Sequence, residues 1–542
     1  MKKLSHIFIL MLCIFLFVGC KTTNKGNNKD EQEQEQVKDP VKEPVKPVAS
    51  FGGELKILMR NPNTLNPLLN NDRTVDQVLK LVFDSLFLLD EQEKPMPNLV
   101  ESYELSSSAT TITINLKKNI LFHDGEELHS DDVIYSINTI KNASEDSIYK
   151  VCVENYKRVS AVDEYTFKIY FDQPFAFSLY TLNFPIIPKH HYDSNENSTL
   201  NPIGTGAYSF VNFATMKELN LKANQKWFKG NLYVEKIKGV ITRDKNSDSD
   251  AFNQKVVDLI NPTKFDWQHY AETKGVSLTE YDTYYYTFLG FNFNNNILSD
   301  KNIRKAIAYA IDRESIIKNE FLNHAHITDY PIHPISWLNK EDALMYNKNI
   351  EKSKELITTA GYSDSDGDEL LDKNINSVKQ NLSLRLLVNN ENPLRLNIAN
   401  KIKEYLEEVG FIINIDSVDN ITYSQKIMNK DFDILLSEWK LSPIPDFTFA
   451  FHSSQIEEGN NFINYSNVDM DRILETIFRS TNEKELLTAI GEFKNIIAEE
   501  LPYYSLFFRT SAIISNQKVY GQLNPSIYNN YRGIENLFIF EQ

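Results

Sequence analysis

Leu382-Ser-Leu-Arg-Leu-Leu-Val388, Asn389-Asn-Glu-Asn-Pro393, the spaced set Ile398, Ile402, Tyr405, Leu406 and Val409, then Gly410 and Phe411-Ile-Ile-Asn-Ile415: this stretch decides the fold class. The first run is short, apolar and bounded by turn residues, as a buried strand is. The spaced set lies on one face of a 3.6-residue period, and a glycine is the common stop for such a helix. A second apolar run follows, and Phe432–Ser437 supplies another. Strand, helix, strand in this order predicts parallel pairing with a right-handed crossover, hence an α/β fold. Ligands of such open sheets sit beyond the carboxyl ends of the strands. Two segments fall there, Asn389–Asn392 and Glu438–Ser442.

Outward from this unit, the pattern stays mixed. Residues 53–60 open as a strand, and Asn61-Pro-Asn-Thr-Leu-Asn-Pro67 is a turn-rich loop. Asp76 to Leu86 has helical spacing, residues 101–121 alternate like strands, Asp131 to Asn142 is a helix, and strands follow at 156–171. Ser299 to Lys318 reads as one helix with Ser299 as N-cap and Ile303, Ala306, Ile307, Ala310, Ile311 and Ile316 as its stripe.

The first 50 residues set an address. Lys2 and Lys3 precede an apolar run from Ile7 to Val18, shorter than the roughly 20 residues of a spanning helix. The run ends in Leu16-Phe-Val-Gly-Cys20, which resembles a bacterial lipoprotein signal, with Phe17 where that signal usually carries Leu. The resemblance implies cleavage before Cys20, lipidation of Cys20, and a body on the outer face of the cell membrane. Residues 21–49 have no aromatic residue and no apolar periodicity, so they cannot build a core. Their Val-Lys-Asp-Pro and Val-Lys-Glu-Pro pattern favours an extended stalk.

The 542 residues allow several domains, and 42% apolar with 12% aromatic content is ample for a core. The net charge is −17; the first 20 residues contribute +2 and residues 21–50 cancel, so 51–542 carry −19. A body this acidic repels phosphate backbones, so nucleic acid is not an expected partner. Cys13, Cys20 and Cys152 make no disulfide framework and no CxxC; Cys152 is expected to be a structural residue.

Signatures of chemistry are missing. There is no GxSxG, HExxH, GxxxxGK or complete GxGxxG. Gly204-Thr-Gly206 is read as a tight backbone turn. His190–His191 and His324/His326 lack carboxylate or Cys ligands at familiar metal spacing. His123-Asp-Gly-Glu-Glu127 could do acid–base work, but Asp-Gly is an ordinary turn pair. Asp364-Ser-Asp366-Gly-Asp368, with Asp372, lacks the bidentate Glu of a calcium loop and is read as an exposed acidic turn. No cofactor and no metal are expected. The Tyr281, Tyr284, Tyr285, Tyr286, Phe288 cluster suits either a strand core or a ligand cleft.

Five segments in order resemble the extracellular solute-binding proteins, family 5, of peptide-type ABC importers. They are Phe122–Ser136 (FHDGEELHSDDVIYS), Pro202–Tyr208 (PIGTGAY), Asn292 with Asp300 and Arg304–Arg313, Ala360-Gly-Tyr362 with its acidic turn, and Asp431-Phe-Asp-Ile434 leading to Trp439. The resemblance implies an α/β, two-lobed, periplasmic-binding-protein-like clam of the large peptide-binding subclass, type II, with an extra subdomain on the N-terminal lobe. The implied divisions are a signal peptide (1–19), a stalk (20–50), N-terminal lobe segments at 51–88, 201–280 and 509–542, the extra subdomain at 89–200, and a C-terminal α/β lobe at 281–508. It implies a monomer that is not an enzyme, encloses an oligopeptide or other small solute, and delivers it to the permease subunits of an importer.

In peptide binders of this family the Trp-ended strand leads into a segment whose Trp contacts ligand and whose first Asp neutralises the peptide amino terminus. Here that segment is Glu438-Trp-Lys-Leu-Ser-Pro-Ile-Pro-Asp446. Trp439 is kept, Ser442 stands at the position of the Asp, and Glu438 replaces the usual Gly. Glu438 or Asp446 is expected to take over the ammonium, Glu438 being the favoured choice; otherwise the ligand is not a free-amine peptide but an oligosaccharide, a metal chelate or a signalling peptide. The full candidate contact set is Asn63, Leu65, Asn66, Tyr284, Tyr285, Tyr286, Asn389, Asn390, Glu438, Trp439, Lys440, Leu441, Ser442 and Asp446. A secreted hydrolase is disfavoured by the missing nucleophile and metal motifs, and an adhesive surface protein by the absence of repeats beyond the stalk.

Overall fold

The computed structural model describes residues 47–193, 200–262, 267, 270, 273–339, 345–375, 378–442 and 444–540. The signal, Cys20 and the stalk to Lys46 lie outside them. Residues 47–542 form one compact unit.

The opening stretch folds as read. Ser383–Asn389 is a strand, Pro393–Glu408 a helix capped by Asn392, and Ile412–Val418 a strand; the two strands pair in parallel. Gly410 takes φ 98°, the left-handed stop that a side chain would resist. Ile434–Lys440 pairs in parallel on the other side of Ser383–Asn389. A helix over Asn420–Met428, capped by Asp419, links the second and third strands.

Two long strands extend this sheet, and the short strands Leu259–Ile260 and Ala325–Ile327 pair with the second of them. Val276–Phe291 lies antiparallel to Ile434–Lys440, and Tyr503–Asn516 lies antiparallel to Val276–Phe291 along nearly its whole length. Asp282 faces Thr510 and Tyr286 faces Phe508, so Thr283, Tyr284 and Tyr285 together oppose Arg509 alone. Such a bulge bends the strand and re-aims its side chains. Here it turns two consecutive tyrosines toward different surroundings.

A second sheet joins Gly52–Met59, parallel, to Val234–Ile241, with Glu218–Ala223 and Tyr208–Ala214 beyond. A third, antiparallel, holds Val100–Leu105, Thr111–Leu116, Thr166–Phe171 and Tyr156–Ala161. A short hairpin, Phe87–Leu89 with Pro95–Pro97, precedes it.

Two helical expectations are corrected. Ser299–Lys318 is two helices, Lys301–Ala310 capped by Asp300 and Arg313–Phe321 capped by Asp312. The Asp312 carboxylate accepts from the Ser315 amide and starts a new helix where the apolar stripe runs on unbroken. The Asp76–Leu86 helix is instead Arg73–Leu79. It stops because the Leu81 and Val82 carbonyls accept from the Tyr208 and Gly206 amides. Gly204 and Gly206 are the close backbone turn that was read: a Cβ on either would stand under 3 Å from Val82 backbone atoms.

Candidate functional site

The bulge and the end of the Ile434–Lys440 strand meet at a small cavity of about 30 Å³, room for one or two waters. Tyr284, Leu441, Ser442 and Asp446 line it, together with residues that the sequence did not mark: Glu93, Tyr180 and His333. The Leu441 amide donates to the Tyr284 carbonyl at 3.0 Å, so the two walls are tied by backbone.

Glu93 sits at the tip of the Phe87–Pro97 hairpin with φ 66°. Asp90 builds that tip, its carboxylate accepting from the Gln92 and Lys94 amides. The tip is fastened across the cavity: the Trp337 amide donates to the Gln92 carbonyl at 2.9 Å, and the Lys94 ammonium lies 4.6 Å from the Trp337 ring centre and 2.8 Å from Glu483. Trp337 Nε1 also donates to the Tyr180 hydroxyl at 2.7 Å. Burial raises the Glu93 carboxyl to about 7, with Asp282 and Asp90 adding to the rise and the Tyr284 hydroxyl opposing it. An arriving ammonium would favour the carboxylate form of this raised acid.

His333 is buried, and burial lowers its pKa to about 4. Its Nδ1 accepts from the Ile335 amide at 3.3 Å, which leaves the proton of the neutral ring on Nε2. Among the described residues that Nε2 is buried without a hydrogen-bond partner, 3.8 Å from Asp282. It is a donor held ready beside the cavity. Asp282 itself accepts from His326 Nε2 at 2.8 Å, which holds the carboxyl low against the desolvation that opposes it. His324 likewise meets Glu280 at 3.0 Å, so both histidines of that pair find carboxylates far off in sequence.

The other expected contacts divide. Tyr286 is fully buried, its hydroxyl on Ser505 Oγ at 2.5 Å and its ring among Phe288, Phe508 and Trp439. Trp439 packs on Phe288 at 4.1 Å and on Tyr503 at 5.0 Å. Both belong to the packing beneath the site. Leu65 is core, and Asn66 spends its side chain on the Leu68 amide; Asn63 is exposed. Asn389 bonds Asn420 and the Glu391 amide, and Asn390 donates its amide to Val418. None of these five lines the cavity. Glu438, the favoured ammonium acceptor, accepts instead from Arg509 Nε at 2.9 Å.

Tyr285 faces that ion pair. The Arg509 guanidinium lies 3.8 Å from its ring centre and the Lys440 ammonium 5.8 Å. Tyr528 stands between the two surroundings. Its ring is 5.2 Å from Tyr284, its hydroxyl donates to the Leu441 carbonyl at 3.3 Å, and both Glu93 and Arg73 act on its acidity.

The remaining motifs have local explanations. His123 bonds the Gly206 carbonyl and the Gly204 amide. Asp364, Asp366, Asp368 and Asp372 bring carboxylate oxygens within 4.8 Å of one another, and the Lys379 ammonium reaches three of them at 2.5, 3.0 and 3.4 Å. Cys152 is buried, and burial pushes its thiol up to about 12.

Comparison with known proteins places this geometry. The model of the bacterial extracellular solute-binding proteins, family 5, matches residues 94–460, and the chain belongs to that family. The oligopeptide-binding protein AppA of Bacillus subtilis is 25% identical over 472 residues, covering 84% of this chain and 86% of that protein. The solved structure of AppA with a nonapeptide matches with a TM-score of 0.63 at 24% identity, over 91% of this chain and all of that one. NikZ of Campylobacter jejuni, solved with Ni(L-His), matches with a TM-score of 0.66 at 24% identity and the same coverage. The α/β, two-lobed, periplasmic-binding-protein-like fold is therefore the one the sequence implied. Members of the family are solute-binding components of ABC transporters, transport proteins and not enzymes. Among the described residues no helix is long and apolar enough to cross a membrane.

Proposed function

We propose that this chain is the extracellular, lipid-anchored substrate-binding protein of an ABC importer, that it captures peptides with a free amino terminus, and that it hands them to a membrane permease as a monomer without chemistry. Cys20 is the lipidated residue, and residues 20–50 are the stalk. The lobes divide as the resemblance implies, 51–88, 201–280 and 509–542 against 281–508, with 89–200 as the extra subdomain. The bulge opposite Arg509 serves as the hinge between them.

The observation that carries the reading is the pair of acids, Glu93 and Asp446, lining one cavity with Tyr284 and His333, whose Nε2 has no hydrogen-bond partner among the described residues. A desolvated carboxylate facing an ammonium is a strong, charge-assisted contact, and a neutral imidazole N–H suits a peptide carbonyl. Glu93 and Asp446 replace Glu438 in the ammonium role, since Glu438 already has Arg509. Ser442, Leu441 and Tyr284 shape the ligand; Tyr285 and Lys440 belong to its far end; Asn63, Asn389 and Asn390 are left as outer contacts at most. A second reading, capture of a non-peptide solute such as a metal chelate, is favoured by the modest cavity and by the His326–Asp282–His333 group beside it.

Native mass spectrometry of residues 47–542 purified without denaturation tests the reading. Co-purified peptides that are lost in Glu93→Gln/Asp446→Asn support it. A single non-peptide mass moves the assignment to the second reading.

A further inference from the structure

The charge balance contains an anomaly at the end of the second sheet where the chain enters the body. Residues 51–542 carry −19, yet residues 222–238 hold the lysines Lys222, Lys226, Lys229, Lys236 and Lys238 against the single acid Glu235. The strand register gathers them. Lys236 on Val234–Ile241 stands directly opposite Lys222 on Glu218–Ala223, and Lys238 directly opposite Lys56 on Gly52–Met59. Like charges facing each other across strands destabilise a sheet, so these pairs are a cost that the fold alone does not explain. Lys238 is offset by Glu54 and Glu218, each at 3.7 Å, and Lys229 by Asp84 at 3.4 Å. Among the described residues Lys236 meets only its neighbour Glu235, at 3.5 Å, and the exposed Lys222 and Lys226 have no ion-pair partner.

The same end carries exposed aromatic rings. Glu218–Ala223 and Val234–Ile241 are antiparallel, so the loop between them, 224–233, lies at the end where Gly52 pairs with Val234. The Gly52 amide donates to the Tyr233 carbonyl at 2.8 Å. Phe51 is 54% exposed and Tyr233 38%, well above the buried aromatic residues of the core. The Tyr233 ring lies 6.5 Å from Phe538, which stacks on Tyr520 at 5.6 Å. Rings of this kind sit at headgroup depth in a lipid–water interface, and lysines beside them meet anionic headgroups. The chain enters at this end too: residues 47–51 are exposed and run directly into Gly52. An anchor upstream of Pro47 therefore holds this end, of the whole body, closest to the surface that carries the anchor.

We infer that this end of the body, with Lys222, Lys226 and Lys236 beside Phe51 and Tyr233, is a docking surface for an anionic lipid membrane. A body of net charge −19 is repelled as a whole by such a membrane, so a face of the opposite sign is the one that can approach it, and the contact then fixes which way the body points. An anion layer laid on Lys222 and Lys236 also removes the cost of their direct opposition. Tethering makes a weak contact sufficient, because the face stays at high effective concentration above the lipid. None of these five residues lines the ligand cavity, so the surface is separate from ligand capture and holds whatever the ligand is. The inference goes beyond the proposed function, and its test supplies its own anchor, so the outcome does not depend on Cys20.

The test couples residues 47–542 through the N-terminal end to a vesicle lipid, in vesicles of phosphatidylcholine alone or of phosphatidylcholine and phosphatidylglycerol in equal parts. Brief labelling with an amine-reactive reagent, read by mass spectrometry, reports each lysine. On the acidic vesicles labelling of Lys222, Lys226 and Lys236 is expected to fall about threefold or more relative to the neutral ones. The exposed Lys318, Lys354 and Lys484 of the other proposed lobe are expected to stay unchanged, and high salt is expected to restore labelling. Flotation of the uncoupled protein with acidic vesicles reads the variants. Lys222→Gln/Lys226→Gln/Lys236→Gln is expected to weaken it by about tenfold or more, and Phe51→Ser, in the exposed segment before the first strand, by about threefold. Lys318→Gln/Lys354→Gln/Lys484→Gln is expected to leave it unchanged. The lysines replaced are exposed, and unchanged thermal midpoints check that the fold is kept. Labelling that is the same on both vesicles overturns the inference, as does equal loss of flotation in the two triple variants, which would make the attraction general to exposed lysines. Protection by inorganic phosphate alone as strong as that by acidic vesicles overturns the lipid assignment in favour of a free-anion site.

Discussion

Arg509 Nε donates to Glu438 Oε2 over 2.9 Å, with the guanidinium laid against Tyr285. This bond pairs the carboxylate that the sequence offers first for ligand capture. A charge already paired gains little from a second cation, whereas the desolvated Glu93 gains a great deal. Glu438→Gln is therefore expected to keep the preference for free over N-acetylated tripeptides and to lower stability by about 1 kcal/mol or less, the range of a partly solvated ion pair. Calorimetry on the two peptide pools checks it; a lost amine preference would return the clamp to Glu438.

Glu93 should make binding pH-dependent. Tyr284 bonds its carboxyl, Asp282 and Asp90 act on it, and its pKa is raised from 4.5 to about 7. An ammonium favours the carboxylate, so binding at pH 6 releases a proton and affinity falls by up to tenfold per pH unit below 7. Above pH 8 the peptide amine deprotonates and affinity falls again. For the empty protein the sign is reversed from that of an ordinary salt-bridged acid. The folded state holds a proton that the unfolded chain releases between pH 4.5 and 7, so stability declines as pH rises through that window. Glu93→Gln is expected to raise the stability of the empty protein at pH 8 by ~1–3 kcal/mol and to flatten the acid limb of binding. Denaturant melts and calorimetry at pH 5.5, 7 and 8 read both effects; an acid limb unchanged in the variant would assign the proton to another group.

Cys152 should be chemically silent in the folded body. It is buried, its thiol donates to the Asn183 side-chain oxygen Oδ1 at 3.7 Å, and burial pushes its pKa to about 12. At pH 8 the thiol stays protonated, and the thiolate is the reactive form. An aromatic disulfide reagent should leave residues 47–542 unmodified under conditions that label the denatured chain completely. Rapid labelling of the native protein would show that the region around residues 149–156 opens readily.

The fold was legible because its evidence is local. The 382–415 stretch carries its own period, cap and glycine stop, and these decide a parallel sheet without help from elsewhere. Part of the cavity lining was legible for the same reason: Tyr284, Leu441, Ser442 and Asp446 lie where the strand-end rule and the aromatic cluster point. Asn389 and Asn390 satisfy that rule too, yet they turn to Asn420 and Val418. The cavity forms only at the strand next to the antiparallel Val276–Phe291 run, where the hairpin tip can cover it. Glu93 was invisible because Asp90-Glu-Gln-Glu-Lys94 reads as a solvated turn; its meaning comes from Trp337, Tyr284 and Asp282, roughly 190 to 245 residues away. Arg509, the partner of Glu438, was missed likewise, since it lies 71 residues further along the chain. The split of the 299–318 helix was missed because an apolar stripe outweighs a single capping Asp when only periodicity is read.

Gly206 ties the two discontinuous parts of the proposed N-terminal lobe. Its amide donates to the Val82 carbonyl at 2.9 Å, and the next amide but one, Tyr208, donates to Leu81 at 2.8 Å. A Cβ on Gly206 would meet the Val82 carbonyl carbon at 2.6 Å and the Leu81 and Val82 oxygens at 2.7 Å. All three are backbone atoms, so no side chain can swing aside. Gly206→Ala must therefore part the two segments or strain both, at about 2–3 kcal/mol. Thr205 shares the strain because its hydroxyl bonds Asp84, which also accepts from Trp227 Nε1 at 3.3 Å. The expected outcome is a thermal midpoint lowered by several degrees with peptide affinity kept, since no cavity residue is touched. A variant of unchanged stability would mean that residues 81–83 can yield, and that the contact is close without being a constraint.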